Sequence, residues 1–179
     1  MKQKIKEIIL KKNNSKIVSL TAYSKKIAEI LDNYCDIVLV GDSLANVLYG
    51  HKNTHSITLQ NIIDHTNSVK MGIKKALLVV DMPKGSYINN KVALKNSKKV
   101  IKMTKCDAIK IESNKKNHNI IKYLVKNRIS VMGHIGYTPQ FNKKFKIQGQ
   151  SQNEIYKLLK EAKSIEKAGA FSIVLECLS

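Results

Sequence analysis

The chain has 179 residues, 43% of them hydrophobic, which suits a single domain with a sizeable core. Its formal charge of +19 comes almost wholly from lysine, because Arg128 is the one arginine among 32 basic residues. Scattered lysines with few aromatics describe a solvated surface better than a nucleic-acid footprint, no run approaches the roughly 18 apolar residues of a membrane span, and three widely spaced cysteines (Cys35, Cys106, Cys177) without a CxxC read as reduced thiols of a cytoplasmic protein.

In chain order, Met1–Lys12 alternates lysine with apolar residues, which predicts a helix over 2–12 and lacks the apolar centre of a signal peptide. A first strand is expected near 17–23 and a second near 37–42, where Ile37–Val40 runs into Gly41-Asp42-Ser43. Thr58 can N-cap a helix carrying Ile62, Ile63 and Val69, with Gly72 at its stop. A strand follows near 76–81, then a helix capped by Asn90 and running over Val92–Met103, then a strand at 108–112. Ile120, Ile121, Leu124 and Val125 form a helical stripe before a strand at 130–134. Ser151 and Glu154 have the spacing of a capping box for a helix with the stripe Ile155, Leu158, Leu159, Ala162 and Ile165, stopped by Gly169 before a strand at 171–176. Unbroken apolar runs are the mark of strands covered on both faces, so the alternation predicts a parallel α/β fold in one domain over 1–179.

The residues that close these runs carry the chemistry. Five successive strands finish on Asp42, Asp81, Lys110 with Glu112, His134, and Glu176. Taken singly, an Asp after a strand is usually a turn former or cap, and a lone His is more often a hydrogen-bonded core residue than a ligand. Lys110, inside an apolar run, needs carboxylate neighbours, because an unpaired buried ammonium is costly. In a (βα)8 barrel all the strand ends meet at one mouth, whereas an open doubly wound sheet spreads them along a crevice. Three carboxylates at one mouth would repel one another unless a cation lay among them, and Asp42, Asp81 and Glu112 are hard oxygen donors suited to Mg²⁺. Glu176 and Lys110 then remain for proton transfer and charge stabilisation. The residues alone reach a magnesium-assisted enzyme acting on a small oxyanionic or keto-acid substrate.

Several stretches together resemble the ketopantoate hydroxymethyltransferase family. They are Leu20-Thr21-Ala22-Tyr23, Val40-Gly41-Asp42-Ser43-Leu44, Gly50-His51, His65-Thr66, Asp81-Met82-Pro83, Lys110-Ile111-Glu112, the run from Gly133 to Gln140, and Val174-Leu175-Glu176-Cys177. The resemblance implies a (βα)8 TIM barrel of the phosphoenolpyruvate-mutase-like kind, of which about six βα units are present, and a homo-oligomer, commonly a decamer. It implies hydroxymethyl transfer from 5,10-methylenetetrahydrofolate to 3-methyl-2-oxobutanoate, giving 2-dehydropantoate. Asp42, Asp81 and Glu112 would hold Mg²⁺, directly or through water. Asp42, Ser43, Asp81, Lys110 and His134 would surround the keto acid, and Glu176 would be the base at C3, its pKa tuned by partial burial. Family members continue for two more strands, so the chain is expected to be a fragment. It also departs from the family at Lys84, at Ser113-Asn114 and in the segment 141–147. The competing readings are a related Mg²⁺-dependent lyase or mutase of the same superfamily, and a non-catalytic basic protein or nucleic-acid binder.

Overall fold

The computed structural model describes residues 3–113, 117–142 and 144–179. Six strands form one sheet in sequential order, every neighbouring pair parallel: β1 (Ser19–Thr21), β2 (Ile37–Val40), β3 (Leu77–Asp81), β4 (Ala108–Glu112), β5 (Val131–Gly136) and β6 (Ser172–Glu176). Helices α1 (Gln3–Leu10), α2 (Lys25–Leu31), α3 (Leu44–Val47), α4 (Leu59–Lys70), α5 (Asn90–Thr104), α6 (His118–Lys126) and α7 (Gln152–Lys167) fill the connections, with a short 3-10 turn at Thr54–Ser56. The sheet is a curled part of a TIM barrel: β1 and β6 each pair on one side only, leaving two open edges.

The alternation of side chains along each strand divides the core in two. Val38, Val40, Leu78, Val80, Ile109 and Ile111 point outward, where the helices cover them. Ile37, Leu77, Val79, Ala108 and Met132 point inward, and Ile5 and Ile8 of α1 close the bottom of that inner cluster. Lys4 of α1 donates to the carbonyls of Ala76 (2.8 Å) and Lys74 (3.1 Å), tying the plug to the entry of β3. On the same inward parity, two residues beyond Val79, Ala108 and Met132, lie Asp81, Lys110 and His134. The inward faces of β3, β4 and β5 are therefore apolar at the base and polar at the upper end.

Local signals explain the elements. Thr58 accepts from Asn61 N–H while Asn61 Oδ1 accepts from Thr58 N–H, a complete capping box for α4. The cap of α5 is Asn89 rather than Asn90: the Asn89 side chain accepts from Val92 N–H, which starts the helix one residue earlier than the apolar pattern suggests. At α7 the reciprocal half of the expected box is displaced. Ser151 accepts from Glu154 N–H, but the Glu154 carboxylate turns to Gln150 N–H and to Lys146. Strand β1 is shorter than expected, and its flanks Ile17 and Val18 are exposed.

Two glycines of β5 are required by close approach. A Cβ on Gly133 would meet Ile165 Cγ2 at 2.6 Å, so its absence lets α7 lie on the strand. Gly136 has φ +93, and a Cβ there would run into the Glu176 carbonyl oxygen. That carbonyl accepts from Tyr137 N–H at 2.9 Å, fixing the end of β6 against β5.

Candidate active site

The strand register builds the site. Asp81 is the ladder partner of Lys110, and Glu112 that of His134, so adjacent strands deliver ionisable side chains side by side, the second pair two residues further along β4 than the first. Glu176 pairs with Gly136, two positions further along β5 than His134. Asp42 and Ser43 follow β2 at the turn into α3. All seven predicted site residues, Asp42, Ser43, Asp81, Lys110, Glu112, His134 and Glu176, line one cavity of about 670 Å³ at the C-terminal ends of the strands. Thr21 at the end of β1, Lys52, Asn53, Thr54 and His55 around the 3-10 turn, and Tyr137 after β5 also line it and were not singled out from the sequence as site residues, because none of them puts a charge at the end of an apolar run.

Lys110 and Asp81 form a buried ion pair at 2.6 Å. Burial pushes the Asp81 carboxyl up to about 6; the Lys110 ammonium offsets part of that, while Asp42 adds to it. Burial also opposes the charged form of Lys110, but Asp81, Glu112 and Asp42 outweigh it and hold the ammonium above the ordinary lysine range. The pair is thus ionised at neutral pH. Glu112 is pushed up to about 8 by burial, only partly offset by Lys110, with Asp81 and Asp42 adding repulsion.

His134 is buried between two carboxylates. Its Nε2 lies 3.1 Å from Glu176 Oε2 and its Nδ1 lies 3.7 Å from Glu112 Oε1, neither contact aligned as a hydrogen bond. Proximity to His134 outweighs partial burial at Glu176 and holds its carboxyl below the usual range. Tuning by burial alone, as expected from the sequence, has the opposite sign; the imidazole at 3.1 Å decides it. Ser43 Oγ is 2.7 Å from the Tyr23 hydroxyl, which sets its direction into the cavity.

The arrangement suits a hard divalent cation. Asp81 Oδ1 and Glu112 Oε1 are buried acceptors without a hydrogen-bond partner, and both carboxyls are raised by burial, to which the nearby Asp42 adds. An orphaned acceptor on each of two buried acidic side chains is what a cation would satisfy. Among the described residues, no group of three or more His, Cys, Asp or Glu side chains is placed so that it could hold a metal ion. Asp42, Asp81 and Glu112 therefore line the same cavity without being gathered into the three-carboxylate ligand set expected from the sequence. An ion here would complete its shell with water or ligand oxygens, as Mg²⁺ commonly does.

The family departures are locally accommodated. Ser113 donates to Glu161 Oε1 (2.6 Å) and meets His118 Nε2 (2.9 Å), which ties the end of β4 to α6 and α7. Asn114 lies outside the described residues. Lys84 Nζ sits 3.2 Å from His55 Nδ1 at the rim. Within 141–147, Phe141 packs edge-on to Tyr87 and Phe145 to Tyr137.

Comparison with known proteins places this geometry. A family model for ketopantoate hydroxymethyltransferase matches residues 2–179. A 3-methyl-2-oxobutanoate hydroxymethyltransferase of Pelagibacter ubique is 55% identical over 99% of this chain and 69% of its own length. That of Campylobacter curvus is 49% identical over 89% of this chain and 61% of its own, and that of Aliarcobacter butzleri 42% over 98% and 66%. The chain thus spans 61–69% of the length of these relatives. Among solved structures, a phosphonopyruvate hydrolase is similar with a TM-score of 0.74 at 10% identity, covering 98% of this chain and 63% of that one. A 2,3-dimethylmalate lyase of the PEP mutase/isocitrate lyase superfamily gives 0.67 at 14%, covering 98% and 62%. At such identities the likeness is one of fold. With a family model matched from residue 2 to the last residue, this chain belongs to the ketopantoate hydroxymethyltransferase family.

Proposed function

We propose that the cavity binds 3-methyl-2-oxobutanoate and carries out its hydroxymethylation, with 5,10-methylenetetrahydrofolate as the one-carbon donor and 2-dehydropantoate as the product. The observation that carries this reading is the convergence of Asp42, Asp81, Lys110, Glu112, His134 and Glu176 on one cavity in a chain of this family. Asp42, Asp81 and Glu112 would hold Mg²⁺, two of them through the acceptor atoms left unpartnered. When bound, that ion polarises the keto carbonyl and makes the C3 proton more acidic.

The chain's own residues supply the rest. Lys110, fixed by Asp81, presents a positive charge toward the oxyanionic end of the keto acid. Ser43, oriented by Tyr23, offers a hydroxyl to the same ligand. Glu176 takes the C3 proton: its carboxylate is ionised at neutral pH, partly exposed to the cavity, and held at a strand end where it need not move. Water supplies the hydroxyl oxygen: it adds to the methylene carbon as both bonds from that carbon to the folate nitrogens break, freeing tetrahydrofolate. The C3 carbanion equivalent forms its new bond to this formaldehyde-level carbon, whose oxygen then takes up the proton removed from C3. His134, beside Glu176, stabilises the carboxylate's position between the two steps. The reduced cysteines and small-molecule chemistry suit a cytoplasmic enzyme, and the family resemblance a homo-oligomer.

Calorimetric titration with 3-methyl-2-oxobutanoate tests the reading. Saturable binding is expected with Mg²⁺ and none in EDTA, because without the ion the anionic keto acid meets a crowded acidic cluster with no cation for its oxygens to bind. Equal affinity in both would contradict the assigned metal role.

A further inference from the structure

Gln140 is fully buried in the turn that follows β5, with every polar atom of its carboxamide engaged. Its Nε2 donates to Asp42 Oδ2 at 2.9 Å and to the Met82 carbonyl at 3.0 Å. Its Oε1 accepts from the Tyr87 hydroxyl at 2.5 Å, and its backbone N–H donates to Glu112 Oε2 at 3.0 Å. The carboxamide can sit only one way round. Reversed, its oxygen would face a carboxylate and a carbonyl, neither of which can donate, while its NH2 would meet the Tyr87 oxygen.

One residue therefore ties down an oxygen on each of two carboxylates that arrive from different strands. Lys110 does the same for Asp81, through Oδ2. What is left over is ordered: Glu112 Oε1 and Asp81 Oδ1 stay without partners. We infer that Gln140 is the positioning residue of the carboxylate cluster, holding Asp42 and Glu112 so that their remaining oxygens are presented to a divalent cation, with Tyr87 as the lock on the carboxamide's orientation. This rests on the metal reading given above. Partners that orient metal-ligating side chains change metal affinity by about 10–100-fold when removed.

The test is titration of the full chain with Mn²⁺, read from the EPR signal of the free ion. Gln140→Met keeps the volume and the backbone N–H but removes both side-chain donors. It should raise the Mn²⁺ dissociation constant about 10–100-fold. Tyr87→Phe, which leaves the carboxamide in place but unlocked, should raise it by a smaller factor. Leu124→Ala, in the outer helix layer, controls for general loosening: it should lower the thermal midpoint at least as much and leave Mn²⁺ affinity unchanged. Wild-type affinity in Gln140→Met, beside measurable binding by the parent, would overturn the inference and leave the metal reading standing. Equal weakening in Leu124→Ala would reduce Gln140 to a packing role. Absence of Mn²⁺ binding by the parent would remove both ideas together.

Discussion

Lys110 has the most to lose at the residue scale. It is buried with Asp81, and removing one member of such a pair costs about 3–5 kcal/mol because the other charge is stranded. Asp81 can escape by taking up a proton, and burial already pushes its carboxyl up to about 6. Lys110→Met should therefore destabilise the chain more at pH 8 than at pH 5, measured by urea denaturation at the two pH values. An equal cost at both would mean that Asp81 is neutral throughout, against the ionised pair described here. The ligand-bearing residues were legible in the sequence because each interrupts or closes an apolar run, where a charge demands an explanation. The roles of Gln140, Tyr87 and Tyr23 were not, although Tyr23 and Gln140 stand in stretches that carry the family resemblance. Gln140 meets Asp42 across 98 positions and Tyr87 across 53, and nothing in the local pattern of any of them reports such contacts.

Among the elements, β5 and β6 decide whether the proposed base stays in place. Gly136 combines a left-handed φ of +93 with contact against the Glu176 backbone, so neither strain nor crowding can be relieved separately. Gly136→Ala should cost about 1–3 kcal/mol, the usual scale of such strain, and lower turnover through displacement of Glu176. A thermal melt together with the rate of C3 proton removal checks this; an unchanged melt would show that the two strands can part without penalty. The strands were readable as continuous apolar runs, and all six are present within a few residues of their expected bounds. The stripe of α7 was less informative. Ile165 is buried, but Ile155 and Leu159 are exposed: the helix packs over β5 and β6 beside α6, at the edge of the layer of described helices. Periodicity says which face of a helix is apolar, not whether anything covers it.

For the whole molecule, the balance of charge with pH is set mainly by the mouth. The folded-state pKa values of Glu112 (about 8, against 4.5 when free) and Asp81 (about 6, against 3.8) are both raised. The folded chain then binds more protons than the unfolded one between roughly pH 4 and 8, so stability falls as pH rises through that window. Asp32 works the other way. Burial would raise it, but the N–H groups of Ala76, Lys75 and Lys74 hold it low, and its contribution disappears only in more acid solution. In EDTA the thermal midpoint should decline from pH 5 to pH 8, by a few kcal/mol of stability, and Glu112→Gln should flatten the decline. A midpoint that climbs over this range would contradict the crowded-carboxylate picture. Composition and the +19 charge say nothing of the sheet's edges, but the expectation of about six βα units does: β1 and β6 present open edges, with Leu20 and Leu175 exposed. The most direct test of the account as a whole is deuterium exchange at C3 of 3-methyl-2-oxobutanoate in D2O, followed by NMR with and without Mg²⁺. Exchange that depends on the ion and slows about 10²–10⁴-fold in Glu176→Gln is the predicted result. Ion-dependent exchange at an undiminished rate in that variant would remove Glu176 from the chemistry.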